Sequence, residues 1–311
     1  MAMSDDTTNS LLTVGDYIRW AASSFEQAGL HYGHGTTNAI DEAAALVLGA
    51  LKLPPDLHPA YFASRLTLAE RKRLVAVITE RIEQRRPVPY LLGEAWFCGL
   101  AFEVDERVLI PRSPLAELIE VGFAPWVDPE SVQRVVDVGT GSGCIAVACA
   151  LAFPQARVDA LDIESAAVSL TAHNAARHGV AGQVYAQRSD LLEGLPEEPI
   201  IDLIVTNPPY VDARAMLALP PEYRHEPRNA LAAGADGMDA MRRLLPQAAR
   251  RLSTDGVLIG EVGHGAAALE RAFPDLRITW VELERGGAGV FVAEAAALRA
   301  CFPEHTAETA N

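Results

Sequence analysis

The run Val135-Val136-Asp137-Val138-Gly139-Thr140-Gly141-Ser142-Gly143-Cys144-Ile145 reads as a buried strand, a glycine turn and the start of a helix. Glycines at alternate positions let a ligand lie directly on the backbone, and the helix that follows offers free N–H groups to an anion. The dinucleotide fingerprint Gly-x-Gly-x-x-Gly fails from both Gly139 and Gly141, because positions 144 and 146 are Cys and Ala. On its own the motif allows two readings, a seat for a nucleoside-type cofactor or a merely tight turn.

Working outward, short apolar strands at 135–138, 157–161, 183–187, 203–206 and 257–261 alternate with helical stretches at 144–152, 164–178 and 238–252. Two last strands, near 277–283 and 290–294, have only a Glu-Arg-Gly-Gly turn between them. The alternation predicts an α/β fold with a mostly parallel sheet, helices on both faces, and an antiparallel terminal hairpin. The part before residue 89 reads as helical instead. Residues 11–30 carry Leu12, Tyr17, Trp20, Ala21 and Phe25 near the 3.6 period and end at Gly29; 38–52 stops at Pro54-Pro55. A third helix starts at Thr67, with Leu74, Val77, Ile78 and Ile82 on one face. Arg71, Lys72, Arg73, Arg81, Arg85 and Arg86 lie off that face, either as a solvated surface or as a contact for RNA or an acidic partner. Pro87 and Pro89 mark a break, and 96–110 suggests a β-hairpin joining two domains. The end beyond Val292 reads as a helix fragment and a disordered tail.

Composition narrows the function. Of 311 residues, half are hydrophobic and about a fifth charged, as in a globular protein with a real core. No apolar run approaches the ~18 residues needed to span a bilayer, and the polar, acidic start resembles neither a signal nor a transit peptide. Lys and Arg number 26 against 41 Asp and Glu, a formal charge of −15 that disfavours a general nucleic-acid binder. Residues 1–88 hold 9 basic and 10 acidic groups, which leaves 17 against 31 for 89–311. A strongly basic protein is the sensible partner for that second part. Cys98, Cys144, Cys149 and Cys301 form no Cys-x-x-Cys pair, as expected of reduced cytoplasmic thiols. His31 and His34 have no acidic or thiol ligand nearby, so no metal is expected.

Two further positions give the glycine turn its context. Asp162 lies 19 residues after Gly143 at the end of the second strand, where a carboxylate can accept from both ribose hydroxyls. Asp190 follows the third strand and can face an adenine amino group. Separately these acids also read as helix-start or turn residues. Together, at successive strand ends, they describe one ligand across the carboxyl edge of the sheet. The fourth strand ends in Thr206-Asn207-Pro208-Pro209-Tyr210. Two prolines hold that turn rigid. The Asn207 amide oxygen and the Pro208 carbonyl are acceptors that can both be aimed at one planar –NH2, and Tyr210 supplies a π-face for stacking.

A glycine turn preceded by Asp137, followed by Asp162, Asp190 and Asn207-Pro208-Pro209-Tyr210, resembles the protein-glutamine N5-methyltransferases of the HemK/Prm family, over about residues 16–292. The resemblance implies a Rossmann-like S-adenosyl-L-methionine (SAM) methyltransferase domain at 113–311, a β-hairpin linker at 89–112 and a helical substrate-recognition domain at 1–88. It further implies that Asp137, Gly139, Thr140, Gly141, Gly143, Asp162, Asp190 and Asn207 bind the cofactor. Asn207, Pro208 and Tyr210 would be catalytic, and Pro209 would join them in holding the substrate glutamine. One branch of the family acts on peptide-chain release factors, another on the third protein of the large ribosomal subunit. The stretches 94–114 and 221–227 are similar to the ribosomal-protein branch; after Pro111-Arg112 the release-factor branch shows Pro-Asp-Thr-Glu, where this chain has Ser-Pro-Leu-Ala. Arg112 and His225 lie in those stretches and either shape a peptide cleft or make ordinary structural pairs. The expected partner is thus a basic ribosomal protein in the cytoplasm, with RNA contact in an assembly intermediate also open. An adenine-N6 methyltransferase is the main alternative from another class, since the same turn suits a nucleobase amine. Duplex DNA would then need base flipping and a basic groove.

Overall fold

A computed structural model describes residues 5–196 and 200–303. The chain divides into two compact units. The first comprises Met1–Ala95, Val104–Glu106 and Pro220–Glu226; the second comprises Trp96–Glu103, Arg107–Leu219 and Pro227–Asn311. Among the described residues no helix is long and apolar enough to cross a membrane.

The first unit is built on the helices Val14–Gln27, Ala39–Ala50 and Leu68–Gln84. Each begins where an acceptor side chain sits in extended backbone. Thr13 and Thr67 form capping boxes with Asp16 and Glu70, and Asn38 Oδ1 accepts from Asp41 N at 2.9 Å. These caps set the starts of the helices, and the first two end at Gln27 and Ala50, before Gly29 and Lys52 at positive φ, so they are shorter than the expected 11–30 and 38–52. Tyr17, Phe25, Leu46, Leu74 and Ile78 are wholly buried in the core between them, each such side chain contributing about 1.5–3 kcal/mol.

The basic residues of the third helix are not one solvated face. Arg81 is completely buried: its Nε donates to Glu42 Oε1 at 2.7 Å, its Nη2 to the His31 carbonyl at 3.1 Å, and its Nη1 lies 3.6 Å from Glu222 Oε1. Arg85 donates to the carbonyls of Ala28 and Gly29 and to Glu222. Arg71 donates to the Thr8 carbonyl, and Arg86 pairs with Glu80 and Glu106. Only Lys72 and Arg73 of the six are exposed. Burial works to raise the Glu222 carboxyl, yet the His31 N–H and the Arg81 and Arg85 charges win and hold it below its ordinary range.

The second unit is an α/β sheet of seven strands: β3 Arg134–Val138, β4 Arg157–Asp162, β5 Val184–Arg188, β6 Ile201–Thr206, β7 Leu252–Glu261, β8 Thr279–Trp280 and β9 Val290–Glu294. Their order is β5-β4-β3-β6-β7-β9-β8, parallel from β5 to β7 and antiparallel where β9 meets β7 and β8. Every residue of β3 is buried, as a central parallel strand with helices on both faces requires. From β3 the chain winds outward through β4 and β5, then crosses back to place β6 on the other side of β3. Between β3 and β6 the winding reverses, and such a switch point opens a crevice at the carboxyl ends of the strands. The Thr206 hydroxyl donates to the Val138 carbonyl at 2.8 Å and locks the two strands there.

Two expected hairpins differ in detail. The earlier one, β1 Glu94–Phe97 with β2 Leu100–Glu103, turns at Cys98-Gly99, both at positive φ. It begins and ends before the expected 96–110: Val108 and Ile110 are apolar because they are core, not because they are strand. At the other end, β8 is two residues instead of 277–283, and 281–289 connects it to β9. Beyond Trp280 the Val281 N–H still donates to the Val290 carbonyl at 2.9 Å, and in the turn the Glu117 carboxylate accepts the N–H groups of Glu284 and Arg285 while Arg285 pairs with Glu120. The helix fragment after β9 is Ala295–Cys301; the expected disordered end, 304–311, lies outside the described residues.

Candidate active site

The glycine turn is fixed from below. Asp137, the penultimate residue of β3 and fully buried, accepts from Thr140 Oγ1 at 2.7 Å and from Ala146 N at 3.1 Å, which ties the glycine turn to the start of the helix Cys144–Ala152. Burial pushes its carboxyl up to about 7 against the pull of those two donors. Asn174 donates to the Ser142 and Glu103 carbonyls and accepts from Glu103 N, pinning the turn to β2. The three glycines then separate into two kinds. A Cβ on Gly143 would come within 2.8 Å of Thr171 Cγ2, so this position is small because the protein is close. A Cβ on Gly139 (φ +77°) or Gly141 (φ +55°) would meet nothing within 4 Å.

The space above those two glycines is a cavity of about 370 Å³, within the roughly 300–1,000 Å³ usual for a small-molecule site. Its walls include Gly139, Gly141, Asp162, Asp190, Asn207, Pro208 and Pro209. Asp137, Thr140, Gly143 and Tyr210 are not among its walls. Asp162 is held with one oxygen on Gly141 N and the other on Glu164 N, each at 2.9 Å. Burial raises its carboxyl, and those N–H groups oppose the rise. Asp190 accepts from Arg243 Nη2 at 2.7 Å. Asn207 presents the feature most telling of function: its Oδ1 is buried and has no hydrogen-bond partner. Such an atom is costly to leave unmatched, about 1–3 kcal/mol.

Behind the turn lies a residue that the sequence did not single out. The Tyr210 hydroxyl donates to Glu261 Oε1 at 3.1 Å, and the Ser113 hydroxyl to Glu261 Oε2 at 2.6 Å. Burial raises the Glu261 carboxyl, against the pull of those two hydroxyls. The available signal was an acid closing the apolar run of β7, next to the strand that carries Asn207. Arg107, Val108, Leu109, Pro227 and Asn229 also line the cavity, and nothing in their local sequence marks them. His225 lies in the first unit, its Nε2 2.9 Å from the Gln84 carbonyl and its Nδ1 3.5 Å from Glu106, an ordinary structural pairing. Arg112 donates to the Ile110 carbonyl at 3.2 Å.

The family called Methyltransferase small domain matches residues 123–234. The ribosomal protein uL3 glutamine methyltransferase of Bordetella pertussis is 48% identical over 281 residues, covering 90% of this chain and 94% of that protein. The chain belongs to the family of ribosomal protein uL3 glutamine methyltransferases. The protein of that name from Xanthomonas campestris pv. campestris is 47% identical over 292 residues, covering 94% of each. A solved methyltransferase of Pyrococcus furiosus is 16% identical over 63% of this chain and 89% of that one, at a TM-score of 0.47, too low to carry weight. A uL3 glutamine methyltransferase takes its methyl group from SAM. The cavity fits that group in this chain: two glycines open a backbone floor, a fixed carboxylate stands at the end of β4, and one further along accepts from Arg243.

Proposed function

We propose that this chain methylates the side-chain amide nitrogen of a glutamine in ribosomal protein uL3, at the Asn207-Pro208-Pro209-Tyr210 turn. The observation that carries the reading is the buried, unpartnered Oδ1 of Asn207 in the wall of the cavity floored by Gly139 and Gly141. Bound in that cavity, SAM supplies an electrophilic methyl group. Gly139, Gly141 and the turn around them would seat its methionine part, Asp162 its ribose, and Asp190 its adenine edge, while Asp137, Thr140 and Gly143 hold the turn in shape.

An amide nitrogen is a weak nucleophile because its lone pair is delocalised. Asn207 Oδ1 and the Pro208 carbonyl accept from its two N–H groups, which disfavours planarity and stabilises the positive charge that develops on attack. The prolines keep those acceptors in place, so orientation supplies much of the acceleration. Tyr210 stands beside them. No strong base is needed before attack, since the nitrogen's proton becomes acidic only once methylation has begun.

The charge distribution supports a basic ribosomal protein as the client, and such a client would place the reaction in the cytoplasm. Residues 89–311 carry 17 basic against 31 acidic groups, a field that favours a basic protein and opposes a phosphate backbone. Any RNA contact within an assembly intermediate would fall to Lys72 and Arg73, since the other basic groups of that stretch are engaged internally. The test is methyl transfer from isotope-labelled SAM by the purified protein to uL3, a release factor and an adenine-containing oligonucleotide, offered separately. Label on a glutamine of uL3 alone is expected. Label on the release factor keeps the chemistry and overturns the client; label only on the oligonucleotide overturns both.

A further inference from the structure

We propose that Glu261 is a positioning residue for methyl transfer, clamping Tyr210 and through it the turn that carries Asn207. The inference rests on the functional reading above and adds a residue to it. Glu261 ends β7, one residue beyond Gly260, the partner of Thr206 at the end of β6, but it is buried and does not line the cavity. Its carboxylate instead accepts two hydroxyl hydrogens, one per oxygen, from Tyr210 at 3.1 Å and Ser113 at 2.6 Å. Ser113 is itself oriented by the Leu115 N–H, which donates to its Oγ at 3.2 Å. Accepting on both oxygens is what an ionised carboxylate does, and hydrogen bonds to a charged group are about twice as strong as neutral ones.

The rest of the Tyr210 surroundings are shaped to the same end. A Cβ on Gly263 (φ +50°) would lie 2.6 Å from Cε2 of the Tyr210 ring, and one on Gly237 (φ +81°) 2.4 Å from the Tyr210 carbonyl oxygen. The ring edge and the main chain are therefore packed against two bare backbones. With the hydroxyl tied to Glu261, Tyr210 is fixed at three points. Asn207 is three residues away across two prolines, so little slack separates the clamp from the orphan acceptor.

The test is a mutant cycle of E261A, E261Q, Y210F and E261A/Y210F, with kcat and KM for uL3 and the dissociation constant for SAM measured separately. We expect kcat of E261A to fall ~10- to 100-fold, since a misplacement of about 1 Å can cost 100-fold. SAM affinity should stay within about threefold, because Glu261 is outside the cavity. E261Q, whose amide oxygen still accepts from Tyr210, should recover most of the loss. Y210F should lower kcat, and the double variant should fall no further than E261A. Additive losses, or a Y210F as active as the wild type, overturn the proposal, and the latter does so even if E261A fails to fold. NMR of ring-labelled tyrosine reads the clamp without turnover: the signal absent in Y210F should move in E261A and hold near its place in E261Q. An unmoved signal overturns the clamp, whereas a wild type that labels no glutamine of uL3 overturns the functional reading instead.

Discussion

At the scale of single residues, Asp137 is where burial and hydrogen bonding conflict most openly. One carboxylate oxygen takes both of its donors, while Oδ1 is buried without any. Its ordinary value of 3.8 is pushed up to about 7 in the fold. The folded chain thus holds a proton that the unfolded chain releases. Its stability falls as the pH rises from about 4 to about 7, and the loss is complete above that window. Asp137→Asn cannot ionise. Urea midpoints of the two proteins across that range should show a difference that shrinks or reverses toward pH 7; a difference independent of pH would contradict the account. The residues at strand ends were legible because each announces itself locally, as alternate glycines, an acid after an apolar run, or two prolines after Asn. Glu261 was not, because its meaning depends on Ser113, 148 positions earlier in the chain.

The elements were legible where their signals are local. Asn38 and Thr67 stand ahead of periodic apolar runs and begin helices as expected, Thr13 was passed over, and the short apolar runs of β3 and β6, bounded by turn residues, are central strands. Helical periodicity failed for Leu68–Gln84, since it assigns any guanidinium to the wet side. Arg81 is buried because Glu42 and Glu222 arrive from elsewhere in the sequence to meet it. Arg81→Ala leaves the buried Glu42 carboxylate without its ion-pair partner and Glu222 with Arg85 alone, which should cost about 3–5 kcal/mol. Thermal or urea unfolding followed through a probe in the first unit checks this; a loss below about 1 kcal/mol, the size of a surface pair, would contradict it. The terminal hairpin was drawn too long at its first strand: of the expected 277–283, only Thr279 and Trp280 pair with β9 as a strand.

For the molecule as a whole, charge and topology are the relevant quantities. The sheet reverses its winding between β3 and β6, and most residues that surround the cavity follow β3, β4, β5 and β6, joined by Arg107, Val108 and Leu109 from the segment before β3. Most of the −15 formal charge belongs to residues 89–311. If a basic ribosomal protein is the client, its association rate should fall steeply with added salt while SAM binding changes little; a salt-independent association would argue for an apolar docking mode. The central claim is that methyl transfer occurs at the Asn207 turn and not merely beside it. Asn207→Ala separates the two possibilities when SAM affinity and turnover on uL3 are measured on the same preparation. The account predicts that turnover collapses while SAM affinity changes only modestly. Turnover on the same glutamine that persists in a variant unable to hold SAM normally would contradict it.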